Sequence, residues 1–255
     1  LRVCAHPTML KDGASWGAHA GVTAALLASD GFTGAPALTV ERDDVQPLWN
    51  DLGQRWRIRE QYFKAYPVCR WAQPAIEAAL ALRRAHRFDA DDVVAITIES
   101  FREAIELGSQ CRTPATTDEA QYSLPYPVAA ALVFGRVSSD EVDVPALGDR
   151  RVARLLAAIT LVEDDEFSRR FPAERWARVR IALADGRTLE SEPAAARGGP
   201  EHPLSDGEID AKYRALAEPA LGAARAARIA TLVHSLPADA AALPALIDDL
   251  LAPLA

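Results

Sequence analysis

Of the 28 basic residues in the chain, only Lys11, Lys64 and Lys212 are lysines; the other 25 are arginines. The distinction is chemical: burial can lower an ammonium pKa until the amine takes and returns a proton near neutrality, whereas a guanidinium stays charged. A lysine in so arginine-rich a chain is therefore a candidate for proton transfer or anion binding. Lys64 lies in Gln61-Tyr62-Phe63-Lys64-Ala65-Tyr66-Pro67-Val68-Cys69-Arg70, and aromatics with a proline around an amine predict a partly desolvated setting. Lys11 precedes Asp12-Gly13 and a helix expected from Ser15. Two readings stand open there: backbone amides and a cation converging on an anion at a helix N-terminus, or a solvated loop lysine. Lys212 stands beside Tyr213 and Arg214 on an expected amphipathic helix, where a surface role is the expectation.

The elements that must position these residues show in the hydrophobic pattern. Trp16, His19, Val22 and Leu26 recur at three- and four-residue spacing between Ser15 and Ser29. With Ser15 as cap and Gly31 just past the end, this predicts a helix, and His19 on its apolar face is expected as a hydrogen-bonded core histidine. A second helix is expected from Gln73-Pro74 through Ile76, Ala79, Leu80 and Leu82 to about His86, proline suiting a first turn. Val93 to Ser100 alternates as a strand, Asp118 to Phe134 reads as one helix buried on most sides beyond Pro127, and Arg150 to Ala158 as a short helix. Trp176 to Leu183 alternates Ala177, Val179, Ile181 and Leu183 with Arg178 and Arg180, then meets Asp185-Gly186 and returns through Arg187 to Glu192, the signature of an antiparallel hairpin with one wet face. Ala194 to Pro203 reads as a Gly/Pro-rich loop, and Ser205 caps a final helical region from Gly207 to Leu251, interrupted at Pro219, Pro237 and Pro244. The expected fold is α+β: a helical domain made of two chain segments, 1–58 and 204–255, with an α+β lid, 59–203, inserted between them.

Composition narrows the function classes. A net charge of −8 and a pI near 5.2 argue against nucleic acid as a partner, because phosphate neutralisation needs a basic face. An anionic small substrate stays compatible, since a few cations focused in a cleft outweigh the total. No apolar run approaches the ~18 residues of a membrane helix, and Leu1 to Leu10 lacks the apolar core of a signal peptide. Cys4, Cys69 and Cys111 are odd in number and widely spaced, without a CxxC pair, which fits neither a disulfide framework nor a zinc site. The expectation is a cytoplasmic protein with reduced thiols and no membrane partner.

Lys11-Asp12-Gly13-Ala14-Ser15-Trp16-Gly17-Ala18-His19-Ala20-Gly21-Val22, continuing to Ala25-Leu26-Leu27-Ala28 and Gly31-Phe32-Thr33-Gly34, joins a lysine, a small-residue helix and a Gly-Phe-Thr-Gly turn. Four segments follow it: Phe63-Lys64-Ala65-Tyr66-Pro67-Val68-Cys69; Glu119-Ala120-Gln121-Tyr122-Ser123-Leu124-Pro125-Tyr126; Asp185-Gly186; and Gly199-Pro200 through Pro203-Leu204-Ser205 to Lys212-Tyr213. In this order, over almost the whole chain, the five resemble the MmgE/PrpD family. The resemblance implies a helical domain with an α+β lid, usually as a homodimer, and an enzyme that acts on a small polycarboxylate without metal or organic cofactor. The family includes 2-methylcitrate dehydratase, cis-aconitate decarboxylase and iminodisuccinate epimerase.

Residue by residue, the resemblance implies Lys11 and Lys64 as two active-site lysines and Tyr122 as the cleft aromatic of an Ala-Gln-aromatic-Ser motif. It further implies Gln121, Ser123, Arg70 and His19 as substrate contacts. The expected activity is that of a 2-methylcitrate dehydratase-type lyase moving a proton next to a carboxylate, with decarboxylation and epimerisation as the alternatives. In it Lys64 assists proton transfer, Lys11 pairs with a carboxylate, and Tyr122 donates a hydrogen bond or shuttles a proton. The family's N-terminal helical half, with its Asp and His motif, has no counterpart here, and the chain opens on leucine. Two further expectations follow: a non-catalytic piece of a split or truncated enzyme, or a subunit completed by a separate N-terminal polypeptide. A third is an intact fold that binds carboxylates without converting them.

Overall fold

Alternation of apolar and charged side chains builds the sheet. In the computed structural model, which describes residues 14–253, strands β1 (Val93–Ser100), β2 (Ile159–Glu163), β3 (Trp176–Leu183) and β4 (Thr188–Glu190) are ordered β2-β1-β3-β4, and β5 (Ala194–Ala195) pairs with β3. β1 runs antiparallel to β3, with Ile98 opposite Val179 and Glu99 opposite Arg178, and parallel to β2, with Ile96 opposite Ile159. Ala177, Val179, Ile181 and Leu183 are buried, each large one contributing about 1.5–3 kcal/mol. The other face is the wet one: Arg178 Nη1 lies 2.9 Å from Glu99 Oε2 and Arg180 Nε 2.8 Å from Glu190 Oε2. Such solvent-screened pairs contribute little, so the apolar face sets the register. At the hairpin turn Gly186 adopts φ 88° and its N–H donates to Leu183 O at 3.0 Å, a conformation that glycine takes without a Cβ penalty.

By contacts the chain divides into two compact units, one running to Pro200 and the other from Glu201. In the first, the helices are α1 (Ala14–Ser29), α2 (Leu38–Glu41), α3 (Gln73–Ala85), α4 (Arg102–Gln110), α5 (Thr117–Tyr122), α6 (Pro125–Phe134), α7 (Val144–Leu147), α8 (Arg150–Ala158) and α9 (Asp165–Arg170). α3 packs on β3 and on α6, α6 on α8, and α8 on β1, which closes the core over the sheet. The helix expected over Asp118–Phe134 is two helices. Pro125 has no N–H to donate to the carbonyl of Gln121 and its ring would clash there, Ser123 is extended with ψ 140°, and the chain restarts as α6 with Pro125 in its first turn. Trp16, Val22 and Leu26 of α1 are more than 60% exposed, so the apolar stripe that predicted this helix is not part of the core.

Helix α6 is buried from Pro125 to Val133, and the loop after it satisfies a buried carboxylate. Glu141, 4% exposed, accepts from Arg136 Nε at 2.8 Å, Ser138 N at 2.8 Å and Ser138 Oγ at 2.6 Å. Burial pushes its pKa up, but the Ser138 and Arg136 hydrogen bonds outweigh burial and hold it below its ordinary value of 4.5. A carboxylate depressed by folding stabilises the protein above that ordinary value, and the contribution is lost as pH falls through the lower folded value. Glu141→Gln is therefore expected to cost about 1–3 kcal/mol near neutrality. The gap from the wild type should narrow in acid, and urea denaturation at about pH 7 and about pH 4 checks both.

The second unit is a set of three helices, α10 (Asp206–Leu221), α11 (Ala223–Ser235) and α12 (Leu243–Leu251). Ser205 and Glu208 form a reciprocal capping box at the start of α10. Pro219 does not interrupt α10 as expected: it falls within the last turn, and the helix continues to Leu221 before Gly222 turns the chain. Tyr213 donates its hydroxyl to Ala226 O at 2.9 Å, and Arg228 Nη2 pairs with Asp249 Oδ1 at 2.7 Å. Among the described residues no helix is long and apolar enough to cross a membrane.

Candidate functional site

The Lys64 segment has little regular structure, so its path is set by what it bonds to. Phe63 N donates to Gly198 O at 2.9 Å, and Cys69 N donates to Gln121 O at 2.7 Å. Gln73 Nε2, in the first turn of α3, donates to Tyr66 O at 3.2 Å and to Val68 O at 3.4 Å. Val68 is buried, and the Arg70 guanidinium lies 3.7 Å over the Tyr62 ring, a cation–π geometry. Three of the segments singled out in the sequence, around Lys64, Gln121 and Gly198-Gly199, thus meet through main-chain hydrogen bonds.

Lys64 itself is exposed, unlike the desolvated amine expected. The aromatics nearest to it, Tyr62 and Phe63, are themselves exposed, and the packed members of the segment are Tyr66 and Val68. Arg70, Gln121 and Tyr122 are half-buried. Ser123 is fully buried, and its Oγ accepts from Tyr126 N at 3.1 Å, which fixes the start of α6. His19 is exposed on α1 rather than set in a core, with its ring edge-on to Trp16 at 6.1 Å. Lys11 lies outside the described residues. Lys212 is half-buried on α10, in the second unit.

Beside the Lys64 segment stands a polar cluster that the sequence reading missed. Glu77 of α3 is 8% exposed and lies 3.7 Å from Arg197 Nη1. Burial pushes the Tyr66 phenol up, and the charge of Glu77 and the hydrogen bond to it push further in the same direction, so Tyr66 stays a neutral donor. The signal was present in the sequence: Glu77 is the lone acid in Pro74-Ala75-Ile76-Glu77-Ala78-Ala79-Leu80, one helical turn from Gln73 on the same face. Among the described residues no group of three or more His, Cys, Asp or Glu side chains is placed to hold a metal ion.

The segments joined at this main-chain junction carry Lys64, Arg70 and Arg197, cations of the kind that bind carboxylate oxygens. The model of the MmgE/PrpD C-terminal domain matches residues 66–238. A cis-aconitate decarboxylase-like protein of Aspergillus oryzae is 30% identical over 206 residues, covering 77% of this chain and 42% of that protein. A 2-methylcitrate dehydratase of Cupriavidus necator is 30% identical over 133 residues, 49% of this chain and 28% of that protein. The chain thus spans less than half the length of these curated relatives.

Proposed function

The chain belongs to the MmgE/PrpD family, and from that premise we propose that it provides the lysine-bearing part of a lyase acting on a small polycarboxylate, of the 2-methylcitrate dehydratase type. Decarboxylation of the cis-aconitate kind and epimerisation of the iminodisuccinate kind are the alternatives within the same chemistry. The observation that carries the reading is the junction of the Lys64, Gln121 and Gly198 segments, an anchored stretch of chain that carries both Lys64 and Arg70. Each of these reactions must make or discharge negative charge at a carbon beside a carboxylate. In this reading Lys64 moves or steadies the proton, Lys11 and Arg70 neutralise carboxylates, Gln121 and His19 contribute substrate contacts, and Tyr122 donates a hydrogen bond. The enzyme works in the cytoplasm as a homodimer, without a metal or organic cofactor. Incubation with 2-methylcitrate and with cis-aconitate, followed by product identification, tests it. Water loss from the first or carbon dioxide release from the second is expected, and neither product from an assembled enzyme would remove the assignment.

A second reading is favoured by two observations: the chain spans 42% and 28% of its relatives, and large apolar side chains of α1 are exposed. In it the chain is the non-catalytic C-terminal half of a split or truncated enzyme, and another polypeptide supplies the remaining groups. Mass spectrometry of the protein purified from its source checks this: one full-length species with activity argues against it, and a stoichiometric second chain supports it.

A further inference from the structure

Helix α3 carries a carboxylate into the interior. Glu77 is 8% exposed, and Pro74, Ala75, Ile76, Ala78 and Ala79 around it are all buried. A charge in such a place is costly unless it is paired and hydrogen-bonded. Compensation comes from two separate segments. Arg197 Nη1 lies 3.7 Å from Glu77 Oε1, an ion pair without a hydrogen bond to that oxygen. The Tyr66 phenol, pushed up by burial and by the Glu77 charge, stays neutral beside the carboxylate as a donor to it. Those residues flank the hydrogen bond between Phe63 N and Gly198 O, Tyr66 on one side of the junction and Arg197 on the other. Gln73, one turn earlier on the same face of α3, holds the Tyr66 and Val68 carbonyls. Lys64 lies between Phe63 and Tyr66, inside the stretch that these contacts fix.

We infer that Glu77 is a positioning residue for Lys64: its carboxylate ties Tyr66 and Arg197 to α3 at once, so that the Phe63–Tyr66 stretch keeps one path and the amine one location. The inference rests on Lys64 acting on the substrate. A partly buried ion pair such as Glu77–Arg197 is a weak source of global stability; what Glu77 adds here is a fixed geometry between two chain segments.

Glu77→Gln and Glu77→Leu in the full chain test it, read by amide hydrogen exchange and by turnover. Exchange at Phe63 is expected to speed about tenfold or more in the leucine variant while β1 and β3 keep their protection, because the opening is local. The glutamine variant, which still accepts from Tyr66, should fall between. With 2-methylcitrate or cis-aconitate, whichever the wild type converts, kcat should fall with KM nearly unchanged, and the pH midpoints should stay those of the wild type, since Glu77 does not itself exchange a proton with substrate. Wild-type exchange at Phe63 in a folded variant, or a rise shared equally by β1 and β3, overturns the inference. If the leucine variant fails to fold, the isosteric glutamine variant decides by the same two criteria. If the wild type converts neither acid, the proposed activity alone fails, and exchange at Phe63 still decides whether Glu77 holds the segment.

Discussion

Lys64→Ala is expected to lower turnover of the polycarboxylate by about 10²- to 10⁴-fold, the range for loss of a positioned acid or base, while Lys212→Ala leaves it nearly unchanged. Lys64 stands between residues whose main chains are held by Gly198 and by Gln73, so its amine is presented from a fixed base. Lys212 sits on α10, in the other unit. Lys64→Arg separates the two things an amine could supply. If Lys64 moves a proton, arginine is nearly as damaging as alanine, because a guanidinium does not give its proton up. If it only neutralises a carboxylate, arginine restores most of the rate. Steady-state kinetics of the three variants with 2-methylcitrate and cis-aconitate give the answer, and equal, mild losses for Lys64→Ala and Lys212→Ala would remove Lys64 from the mechanism.

Gly198→Ala is expected to cost about 3 kcal/mol or more, from a left-handed backbone held by a non-glycine residue together with a forced overlap. Gly198 has φ 92°, and a Cβ there would sit 1.8 Å from the Phe63 carbonyl oxygen. The obstacle is main chain, which has no rotamer to retreat into. The Phe63–Gly198 hydrogen bond should be lost with it, so activity should fall further than the stability loss alone explains. Gly207→Ala is the contrast: a Cβ at Gly207 meets nothing within 4 Å and the residue lies in the first turn of α10, so stability should hold or rise by up to about 1 kcal/mol. Urea denaturation of the two variants beside the wild type measures the difference.

Much of the fold could be read from local pattern, and the failures share a cause. The β3 alternation with its Asp185-Gly186 turn, the start of α3 at Gln73-Pro74 and the strand at Val93 are all decided by neighbours close in sequence. β2 was missed because Ile159-Thr160-Leu161-Val162-Glu163 follows α8 directly, with no turn residue between, and five residues are too few to show a period. The break before Pro125 was marked by the proline itself, and the continuous apolar run after it hid the mark. His19 and Lys64 were assigned surroundings from adjacent apolar residues, but exposure depends on what the rest of the chain covers. For the site, the amines and the Ala-Gln-Tyr-Ser motif stood out by residue type, whereas Glu77 did not, because the partner that makes its burial tolerable is Arg197, far along the chain.

The junction of Phe63 with Gly198 also bears on the order in which the protein becomes competent during synthesis. A nascent chain released as far as Ser191 already holds every residue of β1 through β4 and of the helices packed on them, while the segment with Lys64 still lacks Arg197 and Gly198. The Phe63–Gly198 hydrogen bond can therefore close only after every strand from β1 to β4 has been made, and closing so long a loop carries an entropic cost before any contact offsets it.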